Sequence, residues 1–167
     1  MVTVSKEALQ AADTITTQNI LDMSERMYEG GSANAVWLVS RRAKTRLYSL
    51  TMPVGAGGGP VGLLREQNVQ GVPVDYMLGR PVIETEKCSK LGDLGDIIFV
   101  DLSQYLIGNK AGNNPGTFNS SVHFAFSTDE TAFKISLRTD GQCWWKSALT
   151  PANSDSTVSP VVVLEAR

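Results

Sequence analysis

The chain has 167 residues, of which 42% are hydrophobic, and this is enough for the core of one domain with or without an appendage. Its 15 Lys and Arg against 17 Asp and Glu give a net charge of −2. This charge argues against a dedicated nucleic-acid-binding protein, because such proteins carry a basic face. No apolar run approaches the roughly 20 residues that a membrane-spanning helix needs. We expect no secretory signal, because the first residues lack an apolar core.

The first predicted elements are a short strand and a helix. Residues 2–4 alternate between apolar and polar side chains, which predicts a strand, and residues 5–12 are compatible with a helix. Thr17 is the predicted N-cap of a helix that reaches about Tyr28. The apolar face of this helix would carry Ile20, Met23 and Met27.

A buried strand and a second helix follow. Residues 35–39 predict the strand, and Ser40 the N-cap of a helix from Arg41 to about Leu50. The inward side chains would be Ala43, Leu47 and Leu50. The helix also carries the chain's only basic run, which predicts a solvated helix face, with a polyanion contact as the alternative. This run is Arg41, Arg42, Lys44 and Arg46.

Residues 55–60, Gly-Ala-Gly-Gly-Gly-Pro, form a glycine-rich run. A phosphate-binding P-loop would continue with Lys and then Ser or Thr, and neither follows here. The run therefore predicts a surface loop.

The middle of the chain contains short strand-like runs. Gly79 predicts a bend, and Arg80 and Pro81 lead into an extended stretch. Gly95 and Asp96 open an apolar run at residues 97–100 that is β-branched and aromatic and too short for a buried helix. A second strand-like run covers residues 105–108.

The last third predicts mostly strands. Residues 122–126 and 133–137 both alternate as half-buried strands do. Asp140 and Gly141 predict a two-residue hairpin turn that would pair residues 136–139 with residues 142–145. After a polar loop at 150–159, residues 161–164 form a final strand.

The predicted hairpin separates two neighbouring tryptophans. Trp144 would share the face of Phe133, Ile135 and Leu137, and Trp145 would point to the opposite face. One tryptophan would then face another layer or a neighbouring subunit. The order of elements predicts an α+β fold, with helices flanking an antiparallel or mixed sheet and long antiparallel strands near the end.

The chemistry-bearing residues do not form a recognisable site. His123 is the only histidine and has no nucleophile elbow nearby, and it is not at metal-site spacing from Cys88 or Cys143. The two cysteines are expected to be free thiols in a reducing cell. Three aspartates bracket the 97–100 run and predict turn and cap residues, with a carboxylate pair or Mg²⁺ site as the alternative. They are Asp93, Asp96 and Asp101. We therefore predict no enzyme, no catalytic residue, no metal and no cofactor.

Several of these motifs, in this order, resemble the major capsid protein of tailed bacteriophages, the Hong Kong 97 coat-protein family. The motifs are Leu-Gly-Arg-Pro-Val at 78–82, Gly-Asp-Ile-Ile-Phe at 95–99 and Tyr-Leu-Ile at 105–107. Further segments agree at 14–20, 35–40, 133–141 and 160–164. The resemblance covers nearly the whole chain.

The resemblance implies a division into parts. Residues 14–110 would form an axial domain, residues 111–167 a remnant of the peripheral domain, and residues 1–13 a connecting segment. Family members are longer and carry an N-terminal arm, an extended loop and a spine helix before the region matched here. The chain therefore resembles the C-terminal part of a coat protein. Without the spine helix, the strands after Val122 are expected to expose an apolar face and strand edges.

The resemblance also implies a function. The protein would be a structural shell protein of a phage or prophage that self-assembles, through pentameric and hexameric rings, into a capsid around phage DNA. Its partners would be its own copies and other phage structural proteins, with at most non-specific DNA contact and no membrane. It would be made in the bacterial cytoplasm and end in the virion. The predicted subunit contacts are Gly57, Gly58, Gly59 and Trp145.

Two alternatives stay open. An encapsulin-type cellular compartment shell has the same fold and would hold a cargo enzyme. An unrelated α+β enzyme or ligand-binding module would require a deep pocket with converging polar groups.

Overall fold

The computed structural model of the protein describes residues 1–52, 60–69, 72–109 and 116–167. The chain forms two compact units. The main unit comprises Met1–Gln104 and Trp145–Arg167, and the strand unit comprises Tyr105–Trp144. These boundaries differ from those of the predicted axial and peripheral parts, and how the chain divides within a shell stays a prediction.

The described residues contain two α-helices, three short 3₁₀ helices and thirteen strands. The helices are α1 (Thr17–Glu25) and α2 (Arg41–Leu47), and the 3₁₀ helices are Glu29–Gly31, Leu102–Gln104 and His123–Thr128. The strands are β1 (Val2–Val4), β2 (Val36–Val39), β3 (Thr51–Met52), β4 (Val61–Gly62), β5 (Leu64–Val69), β6 (Val72–Met77), β7 (Arg80–Glu84), β8 (Ile97–Val100), β9 (Tyr105–Asn109), β10 (Gly116–Ser121), β11 (Ala132–Leu137), β12 (Thr139–Cys143) and β13 (Val161–Leu164).

Seven strands of the main unit form one mixed sheet in the order β1-β13-β8-β2-β7-β6-β5. Strand β8 is antiparallel to both β13 and β2, whereas β1 is parallel to β13 and β2 is parallel to β7. Strands β5, β6 and β7 form an antiparallel meander. The mixed sheet with two helices confirms the predicted α+β class.

The core of the main unit centres on Trp37 of β2. Its side chain is fully buried and stacks on Phe99, with ring centroids 4.0 Å apart. Its indole N–H donates a hydrogen bond to the carbonyl oxygen of Met77, 3.1 Å away. The other fully buried apolar side chains of this core come from both helices, β6, β8 and β13 as well as β2. They are Ile20, Met23, Val39, Ala43, Leu47, Met77, Ile97, Val162 and Leu164.

Helix α1 begins one residue before the predicted position. Thr16 is the N-cap: its hydroxyl accepts a hydrogen bond from the Asn19 N–H, and the Asn19 side chain accepts one from the Thr16 N–H. The helix ends at Glu25 rather than near Tyr28, because Met27 leaves the helix to form a bridge with Ser159.

Helix α2 starts as predicted, with the Ser40 hydroxyl accepting a hydrogen bond from the Ala43 N–H. It ends at Leu47, three residues earlier than predicted. The helix predicted at residues 5–12 is wrong. These residues form turns, and Leu9 has a φ of 64°, which a right-handed helix does not allow.

The described residues of the strand unit form two small antiparallel sheets, β10–β11 and β9–β12. The predicted hairpin is wrong, because Asp140 and Gly141 lie inside β12, where Gly141 is opposite Ile107. A Cβ at position 141 would lie 2.5 Å from Cε1 of Tyr105. This glycine therefore allows a close approach of the Tyr105 ring rather than a turn.

The strand predicted at residues 122–126 is also wrong. These residues belong mostly to the 3₁₀ helix His123–Thr128. The chain turns here because the Ser121 hydroxyl accepts a hydrogen bond from the His123 N–H, as in a serine turn.

Candidate assembly surfaces

The β10–β11 sheet of the strand unit presents large apolar side chains to solvent. We call this surface the apolar strand face; it consists of Phe118 (62% exposed), Phe133 (67%), Ile135 (76%) and Leu137 (62%). Alternate residues of β11 lie on one face of the sheet, and Phe118 is directly opposite Ile135. The Phe118 and Phe133 rings stack with centroids 5.5 Å apart. An exposed cluster of this kind marks an interaction surface, and it agrees with the expectation that strands in this region expose an apolar face.

Trp145 belongs to the main unit, where its side chain is half-buried. Its indole N–H donates a hydrogen bond to Oε1 of Gln104, 3.1 Å away. Its ring packs against Tyr28, with centroids 5.1 Å apart and planes inclined by 47°. The neighbouring Trp144 is 65% exposed.

Tyr28 is fixed in place by a buried carboxylate. Its hydroxyl donates a hydrogen bond of 2.6 Å to Oδ2 of Asp101, which also accepts one from the Ser103 N–H. Burial, the hydrogen bond to Asp101 and the charge of Asp101 raise the pKa of Tyr28 above its usual value. Burial acts to raise the pKa of Asp101 too, but the hydrogen bonds from Tyr28 and Ser103 outweigh it and lower that pKa.

Tyr28 and Trp145 line a groove of about 540 Å³ on the main unit. We call it the aromatic groove; its defining residues are Glu25, Tyr28, Glu29, Trp145 and Leu149. Both glutamates are exposed. Arg26 lies between them in sequence, but its guanidinium donates hydrogen bonds to the carbonyl and hydroxyl oxygens of Thr157. No basic side chain lines the groove among the described residues, so its rim is negatively charged.

The basic run on α2 divides into two pairs, and the first pair is compensated. The Lys44 ammonium lies 2.7 Å from Oδ2 of Asp75 and 3.5 Å from Oε2 of Glu84. The hydrogen bond to Asp75 raises the pKa of Lys44 above its usual value. Arg41 forms a looser contact of 3.7 Å with Glu84.

Arg42 and Arg46 form the second pair. Both are exposed, and in the described part of the chain neither forms an ion pair. Together with Leu91 and Asp13 they line a shallow depression of about 350 Å³. We call Arg42 and Arg46 the arginine pair.

Two of the three aspartates around β8 have structural partners. Asp96 is buried and pairs with Arg167, and Asp101 holds Tyr28. Within the described residues, no group of three potential metal ligands comes together. Cys88 and Cys143 are free thiols, and burial, followed by the nearby charge of Asp96, raises the pKa of Cys88.

The structure locates one of the predicted subunit contacts. Trp145 lines the aromatic groove, whereas Gly57, Gly58 and Gly59 lie outside the described residues. None of the described helices is long and apolar enough to cross a membrane. The alternation at residues 133–137 predicted part of the apolar strand face. The aromatic groove could not be predicted, because its walls come from segments more than 100 residues apart in the sequence.

Comparisons with known proteins give two matches. The model of the phage capsid family matches residues 1–153. A solved structure described as the capsid of an empty GTA particle computed with C5 symmetry matches with a TM-score of 0.59 at 16% sequence identity. The alignment covers 98% of this chain and 49% of the other, so this chain spans about half the length of that one. At this identity the match shows a shared fold. A search of curated proteins found no significant match.

Proposed function

The chain belongs to the phage capsid family, and from this membership we propose that it is a structural capsid protein whose copies associate into a shell. The proposed role is structural rather than enzymatic. The matched GTA structure is itself a capsid, which supports the proposal through the shared fold. Neither comparison favours the compartment-shell alternative or the enzyme alternative.

The apolar strand face is the structural observation that supports association between copies of this chain. Its four side chains are more than half exposed, and burying them in a contact would stabilise that contact by roughly 4–8 kcal/mol. Association of two proteins costs on the order of 4–15 kcal/mol in lost freedom of motion. One such contact is therefore weak alone, but contacts repeated by symmetry in a closed shell stabilise each other.

The location and the partners belong to the same proposal. The shell would be a phage or prophage capsid, assembled from chains made in the bacterial cytoplasm and joined by other phage structural proteins. A net charge of −2 is consistent with at most non-specific contact with packaged DNA. We propose subunit contacts at Trp145 and at Gly57, Gly58 and Gly59, and the division into an axial part at 14–110 and a peripheral part at 111–167.

Light scattering on the purified chain across a concentration series, with electron microscopy of the same samples, tests the proposal. We expect rings of five or six copies, or larger closed bodies. The double variant Phe133→Ser/Ile135→Lys should shift the mass towards the monomer, because it places a charge on the apolar strand face. A monomer at every concentration would contradict self-assembly by this chain.

A matched control is available at Leu9, which is exposed and apolar but belongs to the main unit. Leu9→Ser should leave the solution mass unchanged. Far-UV circular dichroism checks that each variant is folded. If both variants reduce the mass equally, the association would be a general effect of surface hydrophobicity and not of the apolar strand face.

A further inference from the structure

The aromatic groove has the properties of a receptor for a positively charged side chain. Glu25 and Glu29 stand on its rim, and neither forms an ion pair among the described residues. Tyr28 and Trp145 supply aromatic surface beside these carboxylates. A guanidinium suits this combination, because it forms hydrogen bonds with carboxylates and stacks on aromatic rings.

The same chain carries a ligand of that kind. Arg42 and Arg46 are four residues apart on α2 and therefore project from one face of the helix. Within the described parts of the chain they form no ion pair, whereas Arg41 and Lys44 on the same helix contact acidic side chains. Asp13 lines the depression beside the arginine pair but forms no ion pair with it.

The topology of the main unit places the two surfaces at opposite ends of the sheet. Strands β2 and β13 run in the same direction, because both are antiparallel to β8. The aromatic groove lies at their starts, since Tyr28 precedes β2, and Val158, which also lines the groove, precedes β13.

The arginine pair lies at the other end of these strands. Helix α2 follows directly after β2, and the depression around the arginine pair includes Leu91, which precedes β8. A four-residue strand such as β2 spans about 13 Å. The two surfaces therefore lie at opposite ends of the sheet within one chain, and a contact between them would need two copies.

We propose that the arginine pair of one copy docks into the aromatic groove of the next, so that copies associate head to tail. This inference rests on the proposed shell function, because it names one of the contacts between copies. A head-to-tail contact uses two different surfaces, and it produces a ring when the rotation between neighbours closes.

Charge reversal tests this contact. Variant A is Arg42→Glu/Arg46→Glu, and variant B is Glu25→Lys/Glu29→Lys. Each alone should associate about tenfold or more weakly than the wild type, because each brings like charges together. The control Arg41→Glu/Arg65→Glu replaces two exposed arginines, on α2 and β5, that line neither the depression nor the aromatic groove. It changes the net charge by the same amount as variant A and should associate as the wild type does.

Mixing the two variants sharpens the test. In an equimolar mixture, the acidic helix of variant A faces the basic groove of variant B, and the basic helix of variant B faces the acidic groove of variant A. Association should therefore recover, and only in assemblies with alternating copies, which excludes five-membered rings. The inference is overturned if variant A associates normally, or if the mixture stays as weak as its components.

A second measurement separates this inference from the proposed function. The indole N–H signal of Trp145, assigned with Trp145→Phe, is followed by NMR as the protein concentration rises. We expect it to shift together with the α2 amide signals in the wild type and to stay fixed in variant A. The absence of a shift up to the solubility limit overturns the contact. A shift without rings or shells supports the contact and contradicts the shell function. Rings that are insensitive to both charge reversals support the function and overturn the contact.

Discussion

The guanidinium of Arg167 lies 2.5 Å from Oδ2 of Asp96, and neither side chain is exposed to solvent. Asp96 also accepts a hydrogen bond from the Gly92 N–H, and the Arg167 Nε–H donates to the carbonyl oxygen of Thr14. The residues that follow β13 are thus held to the segment that precedes β8. Removing one partner of a buried ion pair leaves an uncompensated charge, whereas an exposed pair contributes little.

We therefore predict that Asp96→Asn lowers the free energy of unfolding by about 3–5 kcal/mol. Urea denaturation followed by circular dichroism measures this change. The control is Glu84→Gln, which removes the exposed contacts with Arg41 and Lys44 and should lower it by at most about 1 kcal/mol. Similar losses in both variants would contradict the role assigned to the buried pair.

Trp37→Phe should lower the free energy of unfolding by about 1–3 kcal/mol, because it removes both the hydrogen bond to Met77 and part of the buried ring. Trp144→Phe is the matched control, since Trp144 is mostly exposed, and it should change this free energy by less than about 0.5 kcal/mol. Both variants are compared by urea denaturation with far-UV detection. Equal losses would show that the position of Trp37 in the core is unimportant.

The bond between Tyr28 and Asp101 predicts a pH-dependent stability. The pKa of Asp101 is lowered in the folded state, so its contribution is present above its unfolded pKa of about 3.9 and is lost as the pH falls through the folded pKa. The pKa of Tyr28 is raised, so its contribution is present below about pH 10 and is lost as the pH rises through the folded pKa.

Tyr28→Phe should accordingly lower the free energy of unfolding by about 1–2 kcal/mol near neutral pH and by less below about pH 4 or above about pH 10. Chemical denaturation of both proteins across this pH range gives the difference directly. The phenylalanine ring retains the packing against Trp145. A difference that stays constant with pH would exclude the hydrogen bond as its source.

The close approach of the Tyr105 ring to Gly141 predicts that substitutions at these two positions have non-additive effects on the β9–β12 sheet. Gly141→Val should disrupt the β9–β12 sheet, because a Cβ at this position would collide with the Tyr105 ring. Tyr105→Ser should remove most of that effect in the double variant. Hydrogen exchange at residues 139–143 monitors the sheet. If Gly141→Val increases hydrogen exchange equally with and without Tyr105, the glycine is needed for the backbone conformation and not for the close approach of the ring.

The sequence predicted helix caps and strands best where the interactions that form them are between residues close in sequence. Ser40 was recognised as a cap because its bond to the Ala43 N–H spans three residues. The strands at 97–100 and 161–164 were recognised from their unbroken apolar runs. The predicted N-cap of α1, Thr17, was wrong by one residue, because Thr16 and Thr17 are equally good cap residues in isolation.

The wrong secondary-structure predictions concern segments whose conformation depends on more than the local sequence pattern. Asp140 and Gly141 carry a strong turn signal, yet their strand pairs with β9, more than 30 residues earlier, and leaves no room for a hairpin. The alternation at residues 122–126 fits a strand, but the hydroxyl of Ser121 turns the chain. The assembly surfaces were only partly predictable, because the aromatic groove unites Tyr28 with Trp145, whereas the apolar strand face follows from alternation within β11.

The pairing of Val2 with Val162 has a consequence for the timing of biosynthesis. Among the described strands, β1 pairs with β13 alone, and β13 is synthesised 160 residues after β1. At about 5–20 residues per second, this delay is on the order of 10–30 s. During translation the sheet therefore lacks its β1–β13 edge, and a nascent chain cannot offer a finished main unit to its neighbours. Synthesis of β13 would thus precede recruitment into a shell.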